Sequence, residues 1–278
     1  MKAERTKNLL VRTVSALIAV GILTVVYLLF ELAGIVILAM LLEAIIINEG
    51  LNLMEWTVSN SKVKFLLGIF FYLLFLLLLF GEPYRLQTLT LAIIFCLACS
   101  IHFKFSDLSL KVLQNAQGGL ILGIIYLAFF PALLVDLLFK YQGSIWFLSL
   151  LVMVFAGDVG AYSFGVTLGR RHVLPMISPK KTWEGAIGGF VATIASAIVL
   201  HQIFSLKIPI FGWLAMASLI SISAQSGDFF ESLLKRVNNV KDSGKIMPGH
   251  GGLLDRIDGL LFAAPIMSVS LTFFDRWI

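Results

Sequence analysis

Three aspartates, Asp228, Asp255 and Asp258, fall within Ser221–Gly259, the one long polar interruption in a mostly apolar chain. That stretch holds five of the sixteen acidic residues and five of the twenty-one basic ones. Asp255 and Asp258 are i and i+3, so on a helix their carboxylates share a face. Asp228 belongs to a second face, with Ser221, Gln225 and Ser232 at helical spacing. Such a polar stripe on an apolar helix must meet protein or water, because lipid cannot satisfy it. Carboxylates gathered where a bilayer begins repel one another, and a cation offsets that repulsion. Hard oxygen ligands with room for water and phosphate suit Mg²⁺. The plainer alternative is acids favoured by a helix N-terminal dipole, beside a surface Glu231–Lys235 ion pair.

Groups suited to phosphate lie next to these acids. Gly251-Gly252 lets backbone N–H groups approach an anion at a helix start. Lys235, Arg236, Lys241 and Lys245 follow Asp228, and Ser178-Pro179-Lys180-Lys181-Thr182 lies in an earlier loop. Metal plus cationic clamps is the equipment of phosphoryl chemistry. Neither G-x-x-x-x-G-K-[ST] nor G-x-G-x-x-G occurs, so this is no standard soluble nucleotide fold. Asp158 shares a helix face with Tyr162, Gly165 and Gly169, either as a functional acid or as a structural hydrogen-bonding group. Glu184 precedes Gly185-x-x-x-Gly189, a helix-packing signal with Glu184 as the expected N-terminal cap.

What positions these residues is a membrane scaffold. The 278 residues are 59% hydrophobic and 13% charged, against about 25% charged in soluble domains. Runs long enough to span a bilayer fall at roughly 9–30, 32–48, 63–80, 86–102, 117–139, 145–168, 184–204, 208–228 and 252–275. The expected fold is all-α: a polytopic membrane protein of about nine transmembrane helices, with a cytoplasmic N-terminus and the C-terminus outside. The basic N-terminus before an apolar run looks like a signal peptide, but reads as a retained first span. With that topology, seventeen of the twenty-one Lys and Arg residues fall on inner segments, as the positive-inside rule requires. The net charge of +5 is thereby explained without nucleic acid. Residues 1–116 read as membrane helices for scaffolding or dimerisation. Residues 117–278 read as the catalytic part, with cytoplasmic loops 169–183 and 229–251, the latter long enough for a surface helix. Cys96 and Cys99 read as packing residues.

The run Ser232-x-x-Lys235-Arg236-(x)4-Lys241-Asp242-x-Gly244-(x)3-Pro248-Gly249-His250-Gly251-Gly252-x-x-Asp255-Arg256-x-Asp258 resembles the signature of phosphatidate cytidylyltransferases, also called CDP-diacylglycerol synthases. Asp158-x-x-Ala161-Tyr162, ISPKKTWEG and QSGDFFES match that family too, so the resemblance covers about residues 150–270. It implies an Mg²⁺-dependent reaction of CTP with phosphatidic acid at the inner face of the cytoplasmic membrane, with room for a second cation. Asp228, Asp255 and Asp258 would hold the metal and, with Lys241, form the catalytic set. Ser178, Lys180, Lys181, Lys235, Arg236, Asp242, His250, Gly251 and Arg256 would bind substrate. Which base meets nucleotide and which meets lipid stays open. A transporter would place acids at mid-bilayer among internal repeats, and no repeat is visible. A CDP-alcohol phosphotransferase would open its motif with D-G-x-x-A-R, which is absent.

Overall fold

The computed structural model describes residues 2–54, 60–102, 110–140, 142–246 and 251–274, without the side chains of 2–20, 99–102 and 110–114. Nine α-helices carry the described chain: α1 Lys2–Leu53, α2 Ser61–Phe80, α3 Arg85–His102, α4 Leu110–Gly123, α5 Phe130–Asp136, α6 Gly143–Leu168, α7 Trp183–Ile203, α8 Ile210–Val237 and α9 Leu254–Phe273. A π-helical turn, Ile124–Phe129, joins α4 to α5, and no strand occurs among the described residues. Among the described residues seven helical segments are long and apolar enough to cross a membrane, the make-up of an integral membrane protein.

That count differs from nine for two reasons. The first two expected spans run on as α1, with a single backbone break at Glu31 (φ 54°, ψ −144°), the residue that separates them in the sequence. The fourth lies in α3, Arg85–His102, whose fully described part, Arg85–Ala98, is apolar but shorter than a span. The 229–251 loop is also shorter than expected. Its first nine residues continue α8 to Val237 rather than forming a separate surface helix.

The chain divides into two units. Met1–Ala132 and Val237–Arg256 form the first. Here Asn60 caps α2 by accepting from the Lys62 and Val63 amides at 2.9 and 3.5 Å. The buried face of α2 is Phe71, Leu74, Phe75, Leu78 and Leu79, the i, i+3, i+4, i+7, i+8 stripe of a helix against a core. It packs near the π-turn, and Gly123 leaves no space for a methyl, which would collide with the Phe71 ring. The Asn238 amide donates to the Leu53 carbonyl at the end of α1.

Leu133–Arg236 and Ile257–Ile278 form the second unit. Its core gathers Trp146, Leu150, Met153, Ala197, Trp213, Met216, Ile220, Leu260, Ala264 and Met267, all buried. The Trp213 indole donates to the Ala197 carbonyl at 2.7 Å, so its one polar atom is satisfied inside the core. α6 and α7 pack through small residues. A methyl on Gly160 would meet Ala192 at 2.5 Å, and one on Gly189 would meet the Gly157 carbonyl at 2.9 Å. The G-x-x-x-G reading of α7 is thus borne out as close helix contact. Ser223 donates to the Phe262 carbonyl at 2.6 Å, tying α8 to α9.

Candidate active site

In the second unit the polar face of α8 is used as its spacing suggests. Gln225 donates to Ser221 Oγ at 3.3 Å and to the Ala186 carbonyl on α7 at 3.2 Å. Two residues further, Gly227 lets α9 approach, since a Cβ there would stand 2.5 Å from the Asp258 carbonyl. That approach brings the helix turns that carry Asp228 and Asp258 against each other. Lys181 forms an ion pair with Asp228, and its ammonium lies 4.3 Å from the centre of the Phe229 ring, a cation–π distance.

Lys181 reaches this position because the 169–183 loop folds back on itself. The Val173 amide donates to Lys181 O at 3.0 Å, and the Trp183 amide to Arg171 O at 2.9 Å. Arg236 holds the same loop by donating from Nε to Ile177 O at 3.2 Å. Thr182, not Glu184, caps α7, accepting from the Gly185 amide at 3.2 Å. Glu184 instead accepts from the Arg170 and Arg171 amides at 3.0 and 3.2 Å. A carboxylate one position inside the helix reaches sideways to the neighbouring chain, while a β-region Thr is the geometry a cap needs. Glu231 is 1% exposed and accepts from Lys235 Nζ at 2.5 Å, so the ion pair expected at the surface is buried. Ser178 is half-buried, and Lys180 and Asp158 are exposed.

In the first unit Asp255 is held by its own loop. Its Oδ2 accepts from the Ser243 amide at 2.9 Å, Ser243 Oγ at 3.0 Å and the Gly252 amide at 2.8 Å. The Gly252 amide, expected to approach an external anion, is therefore directed at Asp255. Gly251 has φ +86°, and a methyl there would lie 2.6 Å from Asp255 Oδ2, so both backbone and space call for glycine. Lys241, Asp242 and Arg256 are exposed around this loop. His250 lies outside the described residues.

One participant has no place in the motif. Glu49, 3% exposed near the end of α1, accepts on Oε2 from the Leu254 amide at 2.9 Å and Ser243 Oγ at 3.2 Å. The signal in the sequence was an acid at the edge of an apolar helix, which is unfavourable unless paired or functional.

Of the three aspartates, then, Asp228 and Asp258 lie on packed turns of α8 and α9, while Asp255 is engaged by Ser243 and Gly252. Among the described residues no three His, Cys, Asp or Glu side chains group as a metal site. A carboxylate on each of two packed helices, one of them paired with Lys181, still fits Mg²⁺, which commonly takes one or two carboxylates and completes its shell with water and substrate phosphate.

Acids and lysines set among apolar helices suit a membrane-embedded enzyme. The sequence pattern of the cytidylyltransferase family matches residues 10–274, and the chain belongs to that family. It is similar to proteins named phosphatidate cytidylyltransferase. That of Thermotoga maritima is 33% identical over 81% of this chain and 84% of its own length. That of Staphylococcus haemolyticus is 31% identical over 94% and 98%, and that of Bacillus subtilis 44% identical over 44% and 46%.

Proposed function

We propose that this enzyme transfers the cytidylyl group of CTP to phosphatidic acid, giving CDP-diacylglycerol and pyrophosphate. The observation that carries the reading is the Lys181–Asp228 ion pair on a turn of α8 packed against the Asp258 turn of α9, in a chain matched along most of its length by relatives of that name. An oxygen of the lipid phosphate attacks the α-phosphorus of CTP. The bond from that phosphorus to the β-phosphate oxygen breaks, and its electrons leave with pyrophosphate. A phosphate monoester has a second pKa of about 6, so the nucleophile is ionised near neutrality and needs no strong base. The work of the protein is to hold two polyanions in line and to balance their charge.

Asp228 and Asp258 are the residues that would hold Mg²⁺. Asp255, the third acid of the expected set, is held in its own loop by Ser243 and Gly252. The bound ion supplies charge neutralisation to the triphosphate. Lys181 and Lys235 bring positive charge to the same acids, and Lys180, Lys241 and Arg256 stand exposed for nucleotide or lipid phosphate. Arg236 shapes the loop that carries Ser178 and Lys181.

The same reading places the site at the cytoplasmic face of the inner membrane, with the N-terminus inside. Nine crossings follow if the Glu31 break divides α1 and α3 spans the bilayer. Residues 1–116 are then available for a homodimer contact.

Pyrophosphate release tests the chemistry, using protein in detergent with CTP, phosphatidic acid and Mg²⁺. Release should require all three. Full release by both Asp228→Asn and Asp258→Asn would remove the proposed site.

A further inference from the structure

We infer that Glu49, on α1 and outside the signature, is a positioning residue for Ser243 and for the start of α9 at Leu254; this rests on the function proposed above. A side chain on an early apolar helix here holds a segment almost two hundred residues later in the sequence, separated by 194 positions at Ser243 and 205 at Leu254. Glu49 Oε2 takes the amide of Leu254, the first residue of α9. An unsatisfied N–H at a helix start needs such an acceptor, and a carboxylate is the strongest available. The same oxygen takes Ser243 Oγ, whose amide and hydroxyl also face Asp255 Oδ2.

Ser243 thus sits between two carboxylates, and its single hydroxyl proton serves one of them at a time. The glycines show how closely this is built. A methyl on Gly252 would lie 2.5 Å from Glu49 Oε2, and one on Gly244 would collide with Glu49 Oε1. Signature glycines at 244 and 252 therefore make room for a residue the signature does not include. Glu49 fixes where the loop ends and α9 begins, and so how Lys241 and Asp255 are presented.

The test uses the full chain in detergent. Glu49→Ala removes the acceptor, whereas Glu49→Gln keeps a carbonyl oxygen for both donors. Two readouts apply: trypsin cleavage after Lys241 and Lys245, and kcat/KM for pyrophosphate release per folded protein. Glu49→Ala should be cleaved about tenfold faster and lose about tenfold in kcat/KM, the effect of losing hydrogen bonds to a charged group. Glu49→Gln should stay within about threefold of the parent in both. Wild-type values for Glu49→Ala, or equal damage in Glu49→Gln, would overturn the inference. If Glu49→Ala does not fold, Ser243→Ala decides. It should speed cleavage about threefold, and an unchanged rate counts against the proposal. Absence of pyrophosphate release in the parent would refute the proposed function, and the cleavage arm would still judge Glu49.

Discussion

Asp228 and Asp258 are like charges on neighbouring helices, and Gly227 together with the Lys181 ion pair allows them to sit together. Charge placed for a reacting polyanion is worth about a hundredfold or more in kcat. Asp258→Asn should therefore lower kcat by at least about a hundredfold with its melting temperature preserved, measured by pyrophosphate release and thermal unfolding. Lys235 has a second, structural duty. Its partner Glu231 is 1% exposed, and removing one member of a buried pair destabilises by about 3–5 kcal/mol. Lys235→Ala should thus lower thermal stability sharply, whereas Lys180→Ala, at an exposed position, should leave it unchanged. The acids and lysines were legible as types and spacings. Their pairing was less so, because i and i+3 spacing places Asp255 and Asp258 on one helix without saying what each oxygen accepts. Glu49 was missed altogether, since nothing local marks a partner 205 positions away.

At the scale of elements, the glycines decide the packing. Gly160→Leu should prevent α6 and α7 from closing, because even a methyl there would meet Ala192 at 2.5 Å and the Gly188 carbonyl at 2.7 Å. Overpacking of this kind destabilises by about 1–3 kcal/mol for small additions, and a leucine adds far more. The check is recovery of folded protein by size-exclusion chromatography, with Gly21→Leu as a control where none of the described residues lies within 4 Å. Most helices were legible from apolar length. Two boundaries were not. α8 continues to Val237 because Glu231 and Lys235 pair along it, a turn that reads as loop from its charges alone. Thr182 was overlooked as the cap because Glu184 looked suited to the role by charge.

For the whole molecule, seven helices qualify as spans among the described residues, while the expectation from the basic residues is nine crossings with the N-terminus inside. Single cysteines on a background lacking Cys96 and Cys99 test the orientation. Arg170→Cys should react with an impermeant maleimide only after the cells are opened, and Lys207→Cys should react in intact cells. The reverse pattern would invert the topology. The central claim is tested most directly by following labelled cytidine from CTP into organic-extractable lipid, with purified protein and Mg²⁺. Label should enter the lipid only when phosphatidic acid is present, with one pyrophosphate released per lipid labelled. Pyrophosphate release that proceeds equally without phosphatidic acid, with no label in lipid, would contradict the account.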